Sequence, residues 1–271
     1  MPELPEVETV ASALRLNILG KKITSWQFHR KNIRFPIPTK KLQKALYESP
    51  SDITRRGKYL HLHFPSQIIQ IHLGMSGALL CKKTATPPAL HTHVTIEFNN
   101  GELYLHYVDP RRFGFFLSFA PHENPTPKLG PEPLSGSSKQ LARHMHQKAA
   151  NKKVILKSFL LNQSIVAGLG NIYICEALFL AKLNPETLIS SLSEQHWQAA
   201  CREIRKVLRQ GIRSGGTTLK DFRSTDEKPG YFAQKLSVYG REGEPCKNCS
   251  STVQKKEHSG RSTYFCGVCQ K

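Results

Sequence analysis

The chain has 271 residues, enough for two domains, and its 39 lysines and arginines outnumber its 20 aspartates and glutamates, giving a formal net charge of +19 with neutral histidines. This excess of positive charge favours a polyanionic partner, and a nucleic acid before a small acidic metabolite. No apolar run reaches the roughly 18 residues of a membrane span, so the sequence predicts no such span. The first residues are acidic, so it predicts no secretory signal either. We therefore expect a cytoplasmic protein.

The first residues, MPELPEVE, carry a chemical signal. Methionine before a small second residue is normally trimmed in bacteria, which would leave Pro2 with a free secondary amine. Because α-amino groups titrate near pH ~7.7–8.0, part of this amine is an unprotonated nucleophile at neutral pH, able to form an iminium adduct with a sugar aldehyde. Glu3 places a carboxylic acid beside it. The alternative is an ordinary chain start with a helix-initiating carboxylate.

A helix is predicted directly after this pair. Apolar residues recur at helical spacing from Val7 to Ile18, and Pro5 and Glu6 suit a first turn, where a missing N–H is harmless and a carboxylate meets the positive end of the helix dipole. Pro2 and Glu3 would therefore sit at a rigid helix start.

Short β-like runs separated by turn signals fill residues 23–119 and predict a β-sandwich or a barrel. Lys58 follows two arginines and a glycine directly before one such run; a solvated charge is the alternative. Met75 lies between glycines after a second run, and Arg111 and Phe113 follow a third. Exposed Met and Phe on glycine-bearing turns can enter a base stack, with arginine occupying the vacated space, although core packing explains each residue alone.

Prolines, glycines and serines dominate residues 121–137 and indicate a linker. Helical periodicity follows it and is clearest from Glu194 to Leu208. Between two apolar stretches, the segment GLGNIY places two glycines before Asn171, whose amide and neighbouring N–H groups could hold a phosphate at a helix start. An ordinary helix–helix turn is the alternative. Residues 211–232, rich in glycine, read as a loop.

The C-terminal residues contain four of the seven cysteines, spaced C-x2-C-x16-C-x2-C. Two such turns supply the four thiolates that structural zinc prefers and leave no open coordination position, so the metal would fold the module without taking part in chemistry. A redox dithiol is the weaker alternative. The residues between the turns predict a β-hairpin whose tip presents Arg261. The predicted zinc ligands are Cys246, Cys249, Cys266 and Cys269.

Taken together, these motifs resemble the bacterial formamidopyrimidine-DNA glycosylases, the Fpg type of the Fpg/Nei family, over essentially the whole chain. The segments that carry the resemblance are MPELPEVET, RRGKYL, HLGMSG, DPRRFG, LGPEPL, GLGNIY, GGTTLKDF, KPGYFAQ and the four-cysteine finger. The resemblance implies an α+β fold of two domains: an N-terminal β-sandwich with a leading α-helix, and a C-terminal helical domain with a helix–two-turn–helix and a β-hairpin zinc finger. We expect the boundaries 1–120, 121–137 for the linker, 138–234 and 235–271.

The resemblance also implies roles for individual residues. Pro2 would be the nucleophile, Glu3 its acid partner, Lys58 a proton donor in strand cleavage, and Arg261 a contact to the lesion phosphate. Residues 215–231 would cover an everted purine. The implied DNA contacts are His91, Lys152 and Asn171, the wedge residues Met75, Arg111 and Phe113, and Lys157 close to the active site.

The implied function is removal of oxidised purines, 8-oxoguanine and formamidopyrimidines, from damaged double-stranded DNA in base excision repair, followed by strand cleavage through β- and δ-elimination. A monomer with one structural Zn²⁺ and no organic cofactor would suffice. Two alternatives remain at this point: a Nei-like glycosylase for oxidised pyrimidines, and a non-catalytic zinc-finger DNA-binding protein. The second leaves Pro2, Glu3 and Lys58 unexplained.

Overall fold

The structure is a computed structural model that describes residues 1–85, 87–126, 128–217 and 232–271. The described residues form two compact units. The first contains residues up to 126 together with 214–217, and the second contains 128–213 and 232–271.

The first unit opens with helix α1, Leu4–Ile18, which begins directly after Glu3 as predicted. Its buried side chains recur at helical spacing and include Val7, Val10 and Leu14, each with no exposed surface. This apolar stripe packs into the core of the unit, so the helix start is held by burial of the whole helix and not by its first turn alone.

Two antiparallel sheets of four strands each complete the first unit and confirm the predicted β-sandwich. The strand orders are β1-β6-β7-β5 and β2-β3-β4-β8. Side chains from α1 and from both sheets share one apolar core. The short helix α2 is Thr39–Leu42. The strands are β1 Ile23–Phe28, β2 Asp52–Arg56, β3 Tyr59–His63, β4 Ile68–His72, β5 Ala78–Lys82, β6 Thr92–Phe98, β7 Leu103–Val108 and β8 Phe115–Phe119.

A buried histidine makes this unit sensitive to acid. His61 on β3 is 5% exposed, and its Nε2 accepts a hydrogen bond from Gln70 Nε2 at 3.0 Å. Burial, and then the charges of His63 and Arg56, lower the pKa of His61 from 6.5 to about 4. The unfolded chain therefore takes up this proton first, so stability is lost as the pH falls from about 6.5 towards 4.

His61→Gln is accordingly expected to flatten the pH dependence of unfolding. The wild-type free energy of unfolding should drop between pH 7 and pH 4.5 by about 2 kcal/mol more than that of His61→Gln, measured by urea titration. His122→Gln, which changes an exposed histidine of the same unit, is the control and should keep the wild-type slope. Equal slopes for His61→Gln and the wild type would contradict the prediction.

The second unit is helical, as predicted. Helix α3 begins after Ser137, whose hydroxyl accepts the Gln140 N–H. Arg205 donates to the carbonyls of Pro133, Ser135 and Gly136. It therefore fastens residues 133–136 to helix α6, Glu194–Arg213. The helices are α3 Ser138–Ala149, α4 Leu156–Leu161, α5 Asn171–Leu180 and α6 Glu194–Arg213.

A two-stranded hairpin at the C-terminus belongs to the same unit. Strands β9, Gln254–His258, and β10, Arg261–Phe265, pair around a two-residue turn, and Arg261 is the first residue after that turn. Its side chain is exposed, which confirms the predicted placement at the hairpin tip.

Candidate active site and nucleic-acid interface

The predicted nucleophile and its acid lie at the start of α1. Glu3 is 2% exposed, Pro2 is also buried, and the Glu6 carboxylate accepts the Glu3 N–H through Oε2 at 2.9 Å. This bond satisfies a donor that the helix itself leaves without a partner and fixes the backbone at Glu3. Met1 precedes Pro2, so the Pro2 nitrogen becomes an amine only once Met1 is removed.

The second oxygen of Glu6 reaches a distant part of the chain. Oε1 accepts the Thr217 N–H at 2.7 Å, and a Cβ on Gly216 would lie only 3.0 Å from Glu6 Cγ. The same carboxylate thus joins the backbone next to the predicted nucleophile to the beginning of the predicted lesion-covering loop. The rest of that loop, residues 218–231, lies outside the described residues.

Lys58 occupies the turn between β2 and β3 and is 8% exposed. Arg55 holds this turn, donating through Nη1 to the Gly57 carbonyl at 3.1 Å and through Nε to Glu8 at 2.7 Å. Burial of Glu8 opposes its ionisation, but hydrogen bonds and charges from Arg55 and Arg15 outweigh burial and lower its pKa below 4.5. Glu8 and Arg55 therefore tie the Lys58 turn to α1, the helix that begins two residues after Pro2.

His72, to which no sequence motif assigns a role, lies within reach of the Lys58 charge. Burial, followed by the charges of Lys58 and Arg34, lowers the pKa of His72 from 6.5 to about 4. In its neutral form His72 accepts the Gly74 N–H at Nδ1, at 3.0 Å, and its ring stacks on Phe115 at 5.2 Å. The HLGMSG motif contains this residue, but its neighbours come from other strands.

The predicted wedge residues lie on two adjoining loops of the first unit. Arg111 places its guanidinium carbon 5.1 Å from the centroid of the Phe113 ring, and that ring is 44% exposed. Met75 is half-buried on the other loop. His91 is exposed with a left-handed φ of 69°, and its carbonyl accepts the N–H of Asp109 at 3.1 Å. The four predicted DNA contacts of this unit therefore lie on neighbouring loops of the β-sandwich.

Within the second unit, Asn171 contacts β10, the strand that begins with Arg261. Asn171 Nδ2 donates to the carbonyl of Ser262, next to Arg261, at 2.7 Å. The Ser158 and Ser259 hydroxyls meet at 2.7 Å and fasten the hairpin turn to α4. Packing against α4 and α5, and not the hairpin alone, therefore fixes where Arg261 stands.

Lys157 has no exposed surface and lies beneath Asn171. Its Nζ donates to the Asn171 carbonyl at 3.3 Å and to Cys175 Sγ at 3.0 Å. In this arrangement Lys157 supports the start of α5 from inside. Lys152 is exposed, and its Nζ lies 5.8 Å from the centroid of the Phe159 ring. Together with Lys153 it lines a cavity of about 480 Å³.

The four C-terminal cysteines converge on one point. The sulfur atoms of Cys246, Cys249, Cys266 and Cys269 all lie within 4.8 Å of one another. Four sulfurs at about 2.3 Å from a tetrahedral zinc ion stand about 3.8 Å apart, so the cluster fits the ion. Backbone N–H groups of Asn248 and Cys269 also point at the sulfurs of Cys246 and Cys266, both at 3.4 Å, as expected around thiolate ligands.

Three family models match the chain in succession. Residues 1–116 match the formamidopyrimidine-DNA glycosylase N-terminal domain, and residues 129–223 match the formamidopyrimidine-DNA glycosylase H2TH domain. Residues 243–271 match a zinc finger found in FPG and IleRS. Within the part of the chain that the structure describes, no helix is long and apolar enough to span a membrane.

Curated relatives match the whole chain. It is 42% identical to the formamidopyrimidine-DNA glycosylases of Shigella dysenteriae and Aliivibrio fischeri, covering all of this chain and 100% and 98% of theirs. Among solved structures, Lactococcus lactis Fpg (MutM) with N7-benzyl-Fapy-dG DNA has a TM-score of 0.89 at 33% identity, with both chains fully covered. Thermus thermophilus MutM (Fpg) has a TM-score of 0.84 at 34% identity, covering 99% of this chain and 98% of that one.

Proposed function

The chain belongs to the formamidopyrimidine-DNA glycosylase family, and from that premise we propose how its own residues carry out the reaction. It is a DNA glycosylase of base excision repair for oxidised purines, and AP-lyase activity is typical of the family. The observation that most supports our assignments is that Pro2 and Glu3, at a rigid helix start, are tied through Glu8 and Arg55 to the turn that carries Lys58.

The first step joins Pro2 to the damaged nucleotide. With Met1 removed, the lone pair of the Pro2 nitrogen forms a bond to C1′ of the sugar and the bond from C1′ to the base breaks. The departing base takes up the proton that the Pro2 nitrogen loses. Glu3 donates a proton to the ring oxygen as the sugar opens, which leaves an iminium ion between Pro2 and C1′.

The second step cuts the strand. The iminium withdraws electrons and acidifies the C2′–H bond, so loss of that proton expels the 3′ phosphate. The iminium, now conjugated with the new double bond, also acidifies C4′–H, and loss of that proton expels the 5′ phosphate. Water then hydrolyses the iminium and frees Pro2. We assign to Lys58 the donation of a proton during strand cleavage and to Arg261 the stabilisation of the lesion phosphate. Ser158 and Asn171 hold Arg261 through their contacts to the hairpin.

The base must leave the helix before the first step, which costs a few kcal/mol of unstacking. We propose that Met75 and Phe113 enter the stack, that Arg111 fills the vacated space, and that His91, Lys152 and Asn171 hold phosphates. Lys157, being buried, acts by supporting Asn171. A single chain supplies every catalytic and DNA-binding side chain assigned above, so we propose that the protein acts as a monomer. We also propose that it acts on DNA in the bacterial cytoplasm.

The lesion class is tested by single-turnover excision from duplexes with one 8-oxoguanine opposite cytosine or one thymine glycol opposite adenine. We expect 8-oxoguanine to be released at least about tenfold faster. A preference for thymine glycol would move the chain to the oxidised-pyrimidine branch. No excision from either duplex, and no incision of abasic DNA, would leave a DNA-binding protein only.

Arg261→Ala is expected to keep base excision and lose the second elimination. A hydrogen bond to a charged group contributes about 1.5–3 kcal/mol, so the rate of δ-elimination should fall about 10–100-fold, with the β-elimination product accumulating on a denaturing gel. Lys255→Ala, which removes an exposed charge from β9 of the same hairpin, is the control and should give wild-type products. Undiminished double incision by Arg261→Ala would remove Arg261 from this role.

A further inference from the structure

Asp109 is a fully buried carboxylate beside the wedge, with 0% of its surface exposed. Its Oδ1 accepts the Ser76 hydroxyl at 2.7 Å, and its Oδ2 accepts the Gly114 N–H at 2.8 Å and the Tyr107 hydroxyl at 3.2 Å. Ser76 follows Met75 on one wedge loop, and Gly114 follows Phe113 on the other. One carboxylate thus binds both loops.

The backbone of Asp109 extends this arrangement to a third loop. Its N–H donates to the carbonyl of His91, and its carbonyl accepts from His93 Nε2 at 2.8 Å and from the Arg112 N–H at 3.2 Å. In addition, the Ser76 hydroxyl oxygen accepts the Arg111 N–H at 3.2 Å, so the two wedge loops are also joined directly.

The loops are packed backbone against backbone. A Cβ on Gly74 would lie 2.4 Å from the Gly114 nitrogen, and a Cβ on Gly114 would lie 2.4 Å from the His72 carbonyl oxygen. Gly74 also has a left-handed φ of 63°. Only glycine fits at these points, so the loops meet at a distance that lets one buried carboxylate reach both.

We propose that Asp109 is a positioning residue for base extrusion, which holds the loops carrying Met75, His91, Arg111 and Phe113 as one rigid block. The inference rests on the proposed function, because it assumes that these side chains act on duplex DNA. A wedge holds the DNA stack open only if its own backbone does not yield, and buried hydrogen bonds to a carboxylate supply that rigidity.

This role separates two activities of the same enzyme. Removal of a base from a duplex requires extrusion, whereas cleavage at an abasic site in single-stranded DNA requires Pro2, Glu3 and Lys58 but no opening of a stack. A loosened wedge should therefore slow the first reaction and spare the second. A general folding defect would lower both together.

The test compares Ser76→Ala, which removes one hydroxyl from this network, with the more severe Asp109→Asn. Both are assayed by single-turnover excision from an 8-oxoguanine duplex and by incision of a single-stranded abasic oligonucleotide. Stopped-flow fluorescence of 2-aminopurine next to the lesion reports extrusion itself. Ser118→Ala is the matched control, because this hydroxyl on β8 donates to Gln67 in the turn between β3 and β4 and takes no part in the network.

We expect Ser76→Ala to lower duplex excision and the rate of the fluorescence change about tenfold, and Asp109→Asn about 100-fold, with single-stranded incision within about twofold of the wild type. Unchanged duplex excision by Ser76→Ala, or equal losses in both assays, would overturn the inference. Should Asp109→Asn fail to fold, Ser76→Ala decides alone. If the wild type itself cleaves neither substrate, it is the proposed function that fails.

Discussion

Pro2→Gly is expected to abolish base excision and to lower incision of abasic DNA by at least about 10²-fold, while affinity for a lesion duplex stays within a few-fold of the wild type. Glycine at the N-terminus offers a primary amine on a freer backbone, so both the secondary amine and its fixed position are lost. Rates come from single-turnover gel assays and affinity from fluorescence anisotropy.

Pro65→Gly is the matched control for this substitution. Pro65 lies exposed in the turn between β3 and β4, and its replacement should leave excision unchanged. Persistent turnover by Pro2→Gly would show that a secondary amine is not required, and mapping of the trapped adduct would then distinguish the new terminal primary amine from Lys58.

Cys266→Ser is expected to remove zinc from the protein and to destabilise the β9–β10 hairpin. Apparent zinc affinities of four-ligand fingers correspond to about 10–16 kcal/mol, and a two-stranded hairpin is at best marginally stable without support. The apolar cluster beneath the hairpin is small, with Val238, Val253 and Cys266 itself among its buried members. Loss of the metal should therefore release Arg261 and weaken lesion-DNA binding at least about tenfold.

Zinc content by atomic absorption should fall from about one ion per chain to less than about 0.2. Cys81→Ser, which changes a half-buried cysteine on β5, should keep the full complement. A Cys266→Ser protein that retained both zinc and wild-type DNA affinity would contradict the assignment of this cysteine as a ligand.

Structural features that depend on residues adjacent in the sequence could be predicted. The period of apolar residues from Val7 to Ile18 placed α1, and the structure begins that helix at Leu4, next to the predicted catalytic pair. The spacing of the four cysteines predicted a single metal site and a hairpin tip at Arg261, because each CxxC turn and the turn between the strands are set by adjacent residues.

Features that depend on contacts between distant residues could not be predicted. Asp109 and Ser76 are 33 positions apart, and Glu6 and Thr217 are 211 apart, so no periodicity links them. His72 lies within a motif, yet its lowered pKa arises from burial and from the charges of Lys58 and Arg34, which the fold brings to it. Buried polar groups of this kind acquire their roles only from three-dimensional neighbours.

The burial of Lys157 also could not be predicted from the sequence. The resemblance implied a place close to the active site, and the structure puts its ammonium group against the Asn171 carbonyl with no exposed surface. A lysine read from sequence is by default a surface charge. Only the packing of α4 against α5 distinguishes a supporting lysine from one that contacts DNA directly.

The central claim, that the Pro2 amine forms the covalent intermediate, is tested most directly by borohydride trapping of the untagged protein on a duplex with one 8-oxoguanine opposite cytosine. Mass spectrometry of the digested adduct should find reduced DNA sugar on a peptide that begins at Pro2, without Met1. An adduct mapped to any other residue, or none under conditions in which the base is released, would contradict the claim.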